Sequence, residues 1–285
     1  MPHETVEQVQ VPGAKLWTVS RGAGVPAVLC HGGPGLADNL GPVAEMVEDL
    51  ALVHRYDQRG SGRSRSSGPF DVGSFVGDLE ALRRHWGHDR WLVGGHSWGA
   101  NLGLFYALQH PDRTLGVIYL AGTGLHWGWQ ADAQRRRLAR LTDDERAELA
   151  QLQDRLSEGD TLATERFLRL MWATDFADRE RARVLDRQPL YEFPRNEGVF
   201  RAVSESYKRL LDSGVEDQVR QLDAPVLVVH GAHDTEPARA RRVSELARNA
   251  RWVELEHSAH SPWFEEPAEL REVLRGFVET LVARS

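Results

Sequence analysis

The chain has 285 residues and a net charge of −7 at pH 7, a length that suits one large domain or one domain with an inserted subdomain. The acidic balance and the lack of a long Lys/Arg cluster argue against a nucleic-acid-binding protein. No apolar run is long enough to predict a membrane span. The first residues lack the pattern of a secretory signal, and the single cysteine, Cys30, fits a reducing compartment. We therefore expect a cytoplasmic protein with no membrane or nucleic-acid partner.

Strand and helix patterns alternate through the first 124 residues. Weak alternation over residues 4–20 predicts a hairpin of two edge strands. Apolar runs typical of strands buried on both faces lie at residues 25–30, 51–56, 91–93 and 115–120. Helical spacing is found at residues 44–50, 74–86 and 100–109, and Gly87 closes the second of these helices. The alternation predicts an α/β fold with a mostly parallel, doubly wound sheet.

Residues 125–213 contain no strand-like run. Their charged, leucine-spaced segments predict helices at residues 133–141, 143–156, 162–172 and 199–211. The α/β pattern then returns, with strands at 225–230 and 251–255 and helices at 237–247 and 266–283. We therefore expect a core formed by residues 1–124 and 214–285, and an all-helical insertion formed by residues 125–213. The junctions at 122–124 and 213–214 are candidate hinges.

A Gly-x-Ser-x-Gly pattern at Gly95, Ser97 and Gly99 follows the third apolar run and precedes a helix. In this context the serine lies on a tight turn from strand to helix, which exposes its hydroxyl beyond the sheet. The N-terminus of the following helix favours negative charge at the same place. Ser97 is therefore the candidate nucleophile.

Asp234 and His260 follow the last two predicted strands and complete a possible catalytic triad with Ser97. A serine hydroxyl needs a nearby base, and a carboxylate orients the imidazole that serves as that base. The chain order Ser, Asp, His is that of the α/β-hydrolases. His257 is a rival for His260, and His96 is expected to point away from the active face and to serve in packing.

Two other loops follow strands. The glycine-rich residues 31–35 (HGGPG) could direct a backbone N–H at a bound carbonyl. Residues 57–64 (DQRGSGRS) lack the spacing of a phosphate-binding P-loop, so we expect their polar side chains to brace the loops around the site.

Together, these two loops and the serine turn (GGHSWG, residues 94–99) resemble the proline iminopeptidase family of α/β-hydrolases. The resemblance implies the α/β-hydrolase fold, with the helical insertion as a cap over the site. It also implies an oxyanion hole made by the backbone N–H groups of Gly33 and Trp98. The family's usual turn reads Gly-Gly-Ser-Trp-Gly, whereas this chain has His96 in place of the second glycine.

The resemblance further implies an aminopeptidase that releases a small N-terminal residue such as proline from a short peptide or amide. The family's aminopeptidases hold the free amino group with cap glutamates, for which Glu192, Glu197 and above all Glu205 are candidates. Trp127, Trp129 and Trp263 are candidate pocket residues. We expect no cofactor and no metal. The sequence leaves the oligomeric state open.

Two other functions fit the same residues. One is an esterase or lactonase for a small apolar acyl group, and the other is a non-catalytic small-molecule receptor on the same fold. An epoxide hydrolase or dehalogenase of this fold requires a carboxylate at the nucleophile position, which here holds Ser97.

Overall fold

The computed structural model describes residues 4–157, 160–182, 193, 195–234 and 237–283. They form a nine-stranded sheet of order β1-β2-β4-β3-β6-β7-β8-β9, with β5 paired to β2. The strands are β1 (Thr5–Val11), β2 (Ala14–Gly22), β3 (Val25–Cys30), β4 (Ala51–Tyr56), β5 (Arg65–Ser66), β6 (Trp91–His96), β7 (Thr114–Leu120), β8 (Val226–Gly231) and β9 (Ala250–Leu255). All neighbours from β4 to β9 are parallel, which confirms the predicted doubly wound sheet.

The N-terminal hairpin differs from the prediction in one respect. β1 pairs with β2 in antiparallel register, as expected, and lies at the sheet edge. β2 is not an edge strand, because its other side pairs antiparallel with β4. This pairing joins the hairpin to the parallel part of the sheet.

Helices lie on both faces of the sheet and in the segment between β7 and β8. They are α1 (Gly41–Glu45), α2 (Val72–His85), α3 (Trp98–Gln109), α4 (Trp129–Ala139), α5 (Asp143–Ser157), α6 (Thr161–Ala173), α7 (Glu197–Asp212), α8 (Val215–Arg220), α9 (Pro237–Leu246), α10 (Pro262–Glu265) and α11 (Pro267–Val282). Successive side chains of β3 alternate between two cores: Val28 belongs to the core that includes residues of α3, and Leu29 to the core that includes residues of α11. Among the described helices, none is long and apolar enough to cross a membrane.

Between β7 and β8 the described residues form helices and no strand, as the sequence predicted. α5 and α6 pack around a small core of their own, which includes Leu152 and Leu170. α7 packs instead into the main core through residues spaced four apart, among them Val203 and Tyr207. The described part of the insertion therefore contains one helix that is integral to the α/β core. The division at 125–213 into a separate cap stays a prediction.

The start of the insertion is held by buried hydrogen bonds. Asn101, one turn into α3, donates from Nδ2 to the carbonyl of Gly124 at 2.7 Å, and the Tyr207 hydroxyl donates to the same oxygen at 2.8 Å. The N–H of Gly124 donates to the Tyr119 hydroxyl at 2.8 Å. Motion at 122–124 would have to break these buried bonds, and the hinge stays a prediction.

Candidate active site

Ser97 lies between β6 and α3 in a backbone conformation that serine rarely adopts. Its φ is 56° and its ψ is −121°, and such strain persists only where the surrounding structure enforces it. Its N–H donates to the carbonyl of Leu120 on β7 at 3.0 Å, which fixes the turn to the neighbouring strand. Ser97 is partly exposed at the carboxyl edge of the sheet.

The two glycines of the pattern are required by close packing. A Cβ on Gly95 would collide with the backbone of Gly99, and a Cβ on Gly99 would collide with the carbonyls of Cys30 and His31. The end of β3 therefore packs directly against the start of α3. This contact keeps the serine turn sharp.

His260 and Asp234 meet beside this turn. Nδ1 of His260 donates to Oδ2 of Asp234 at 2.8 Å, and the Asp234 residue is 7% exposed. Burial by itself would lower the pKa of His260, but the charge and hydrogen bond of Asp234 outweigh burial and raise that pKa above its ordinary value of 6.5. With Nδ1–H held by Asp234, the neutral ring has its lone pair on Nε2. The rival His257 is exposed.

A second histidine, His230 on β8, also lies near Asp234, and sequence reasoning missed it. Its Nε2 is 3.2 Å from Oδ2 of Asp234, without the alignment of a hydrogen bond. Burial lowers the pKa of His230, and the opposing effect of Asp234 is smaller. Of the two histidines, His260 rather than His230 is hydrogen-bonded to the Asp234 carboxylate.

His96 does not point away from the active face, so this expectation was wrong. Its Nε2 donates to the backbone carbonyl of His260 at 2.8 Å, and the two ring centroids are 4.6 Å apart. Trp263 makes an edge-to-face contact with the same ring, with centroids 4.7 Å apart. The loop after β9 folds back over the end of β6, which side-chain alternation along one strand does not reveal. Burial, and then the nearby His260, lower the pKa of His96 well below 6.5.

The glycine-rich loop is held by a buried network centred on Gln58. The N–H of Gln58 donates to Nε2 of His31 at 3.0 Å, and its side-chain Nε2 donates to the His31 carbonyl at 2.8 Å. Nε1 of Trp98 donates to Oε1 of Gln58 at 2.9 Å. Nδ1 of His31 donates to the carbonyl of Gly32 at 2.8 Å, next to Gly33. Gln58 thus ties this loop to the first residue of α3.

The rest of the turn at 57–64 is braced as the sequence predicted. Asp57 is buried and accepts hydrogen bonds from the Arg63 side chain and from the backbone N–H of Asp38. Arg59 donates from Nε and Nη2 to the buried carboxylate of Asp78 at 2.7 and 2.6 Å. The charged side chains of the turn are thus engaged in ion pairs that hold the turn in place.

Two adjacent glutamates hold the His260 loop, a role that sequence reasoning missed. Glu265 accepts the N–H of Ala259 at 2.8 Å, and Glu266 accepts the N–H of His257 at 3.0 Å and the hydroxyl of Ser258. Burial raises the pKa of Glu265, and the N–H groups that it accepts oppose the rise. From the sequence, residue 266 was assigned only to the start of the last helix.

The candidate pocket tryptophans have different environments. Trp127 is partly buried, with its ring centroid 5.9 Å from that of Tyr207 in an edge-to-face contact. Trp263 is 3% exposed and packs under His96. Trp129 begins α4, and its side chain lies outside the described residues. Their role in substrate binding stays a prediction.

The candidate glutamates are not brought together with the triad residues in the described part of the chain. Glu205 is exposed, on the face of α7 opposite to Val203 and Tyr207. Glu197 is exposed and pairs with Arg195 at 2.7 Å. Glu192 lies outside the described residues.

A sequence profile of the α/β hydrolase fold family matches residues 26–267. The chain belongs to the α/β-hydrolase family. This α/β-hydrolase is 31% identical over 236 residues to a proline iminopeptidase of Xanthomonas citri, covering 74% of each chain. It is 28% identical over 268 residues to a proline iminopeptidase of Clostridioides difficile, covering 87% of this chain and 88% of the relative.

Solved structures show the same fold. The structure of an α/β fold family hydrolase from Bacillus anthracis superimposes with a TM-score of 0.74 at 18% identity, covering 98% of this chain and 99% of the other. The chain is thus a proline iminopeptidase-like α/β-hydrolase, as the sequence motifs indicated, and its relatives support hydrolase activity.

Proposed function

We propose that this α/β-hydrolase is a serine hydrolase that works through an acyl-enzyme, with Ser97 as nucleophile, His260 as base and Asp234 as the group that orients the base. The observation that carries this proposal is the 2.8 Å hydrogen bond between His260 and Asp234 beside the strained Ser97 turn. A base with its Nδ1–H held by a buried carboxylate presents the tautomer that proton transfer from serine requires.

In this mechanism the Ser97 hydroxyl oxygen attacks the substrate carbonyl carbon while Nε2 of His260 takes the hydroxyl proton. The resulting oxyanion accepts hydrogen bonds from the backbone N–H groups of Gly33 and Trp98. As the first residue of α3, Trp98 has no acceptor for its N–H within the helix. The tetrahedral intermediate collapses, the leaving group departs with the proton from His260, and the acyl group stays on Ser97. Water activated by His260 then releases the acid and restores the serine.

For the substrate, we propose a short peptide or amide with a small N-terminal residue such as proline, and that the helices of 125–213 cover the site and select what enters. The names of the relatives from Xanthomonas citri and Clostridioides difficile support this choice. The second candidate is an esterase or lactonase for a small apolar acyl group. It is favoured by the exposure of Glu197 and Glu205, because a desolvated ammonium group needs buried acceptors.

One comparison of substrates separates the two. We expect prolyl-p-nitroanilide to be cleaved with a higher kcat/KM than its N-acetylated form, because acetylation removes the positive charge. If Glu197 or Glu205 binds the amino group of the substrate, changing that residue to Gln should lower this preference by about 10- to 100-fold. The same change at the other glutamate is the matched control. Equal rates on free and acetylated substrates, with faster cleavage of p-nitrophenyl acetate, would contradict the aminopeptidase and support the esterase.

A further inference from the structure

The insertion contacts the loops that carry both Asp234 and His260. The turn after α6 supplies the carbonyl of Asp175, which accepts the backbone N–H of His260 at 3.0 Å. In the same turn, the N–H of Ala177 donates to Glu265 at 2.7 Å, and the other oxygen of Glu265 accepts the N–H of Ala259. The backbone around His260 is thus bonded directly to a segment far from it in the chain.

Arg140, at the C-terminal end of α4, joins this turn to the other loop. Its Nη1 donates to the carbonyl of Thr174 at 2.5 Å, and its Nη2 donates to the carbonyl of His233. Thr174 immediately precedes Asp175, and His233 immediately precedes Asp234. One guanidinium group therefore bonds both to the residue before the acid, Asp234, and to the residue before Asp175, whose carbonyl binds the base, His260.

Arg137, one turn earlier on α4, fixes the same turn through a side chain. Its Nε and Nη2 donate to the two carboxylate oxygens of Asp175 at 2.6 and 2.8 Å. The Asp175 residue is 7% exposed, so this bidentate pair is shielded from water. The pair holds in place the residue whose carbonyl binds His260.

We propose that Arg140 is a positioning residue that keeps Asp234 and His260 in their relative positions. The insertion then forms part of the scaffold of the triad as well as its cover. This inference rests on the proposed function, since it concerns the reactivity of Ser97. If the insertion were only a cover, substitutions in it would change only which molecules enter the site. A scaffold also sets how fast the serine reacts with a molecule small enough to enter freely.

The side chain of lysine separates charge from geometry at this position. Arg140→Lys keeps the positive charge, but a single ammonium group cannot reproduce the planar fork that bonds two carbonyls. Arg146 offers a matched control within the insertion. Its guanidinium also donates to two carbonyls, those of Leu138 and Leu141, and neither belongs to the loops of Asp234 or His260.

The test is the second-order rate at which diisopropyl fluorophosphate modifies Ser97, read by intact mass and peptide mapping in the full chain. Arg140→Met should slow this rate by about 10- to 100-fold, as expected for lost charge-assisted hydrogen bonds, and Arg140→Lys should lie between it and the wild type. Arg146→Met should stay within about twofold of the wild type, as is usual for an exposed substitution. With p-nitrophenyl acetate, Arg140→Met should lower kcat and leave KM near the wild-type value.

A wild-type rate in Arg140→Met, or an equal loss in Arg146→Met, would overturn the positioning role alone. A wild-type protein that is not modified at Ser97 would overturn the proposed function, and the positioning role with it. Should Arg140→Met fail to give the wild-type circular dichroism spectrum, the comparison of Arg140→Lys with Arg146→Met decides: a slower rate in the first alone supports the role, and equal rates overturn it.

Discussion

Nε2 of His96 donates to the backbone carbonyl of His260 at 2.8 Å, and the two imidazole rings lie with their centroids 4.6 Å apart. The residue that precedes the proposed nucleophile therefore holds the proposed base through its backbone and supports its ring. Because burial keeps His96 neutral, it adds no positive charge beside the imidazolium that forms at His260. A glycine at the same place could make neither of these contacts.

Two variants separate the hydrogen bond of His96 from its packing. His96→Phe keeps an aromatic ring between His260 and Trp263 but leaves the His260 carbonyl without its donor, so kcat should fall by about 2- to 10-fold. His96→Gly also removes the ring and should lower the free energy of unfolding by about 2–4 kcal/mol. Steady-state kinetics and urea unfolding measure the two effects. A His96→Phe enzyme with wild-type kcat would show that the hydrogen bond does not matter for catalysis.

The pH dependence should report the raised pKa of His260. Catalysis requires the neutral ring, so kcat/KM should fall as the pH drops through a pKa above 6.5. His96 and His230 have lowered pKa values and stay neutral across this range, so they do not contribute to the acidic limb. Asp234→Asn removes the interactions that raise the pKa. The limb should then move to lower pH, and the rate should fall by about 10⁴-fold.

The exposed His257 provides the control for the pH experiment. His257→Ala should leave both the rate and the position of the acidic limb unchanged, because its ring is exposed and lies outside the triad contacts of the described chain. If His257→Ala moved the limb and Asp234→Asn did not, the assignment of the base to His260 would be wrong.

The buried ion pair of Arg59 and Asp78 should matter for stability rather than for chemistry. Arg59 is 3% exposed and Asp78 is 1% exposed, so Arg59→Met leaves an unpaired carboxylate in the core. We expect the free energy of unfolding at pH 7 to fall by about 3–5 kcal/mol. The double variant Arg59→Met/Asp78→Leu should recover most of that loss. A single variant as stable as the wild type in urea would contradict the pairing.

The proposed cap should show itself in substrate preference. Trp127 is partly buried against Tyr207, so Trp127→Leu keeps an apolar group there while it changes the shape. If Trp127 lines the substrate path, the ratio of kcat/KM for prolyl-p-nitroanilide and p-nitrophenyl acetate should change. Equal losses on both substrates would mean that Trp127 only supports the fold.

The parts of the fold and site that lie within one stretch of sequence could be predicted. The strands that carry the site are short apolar runs, and Ser97 is surrounded by glycines whose spacing indicates a sharp turn. Asp234 and His260 became candidates because each lies in the loop that follows a predicted strand. Local pattern was sufficient in these cases because a parallel sheet brings the carboxyl ends of its strands to one edge.

The contacts that support these residues could not be predicted in the same way, because they join distant stretches. Asp175 holds His260 through its backbone carbonyl, for which the identity of a side chain carries no signal. Glu205 shows a different limit. The spacing of Val203 and Tyr207 marks the buried face of α7, and from that spacing alone Glu205 could have been assigned to the opposite, exposed face.

The most direct test of the central claim is trapping of the acyl-enzyme at Ser97. The protein is mixed rapidly with p-nitrophenyl acetate, quenched in acid, and analysed by intact mass and peptide mapping. We predict an acetyl group on the peptide that contains Ser97, its loss in Ser97→Ala, and a much slower appearance in His260→Ala. Acetylation that persists in Ser97→Ala at another serine, or turnover of this ester by Ser97→Ala at the wild-type rate, would contradict the account.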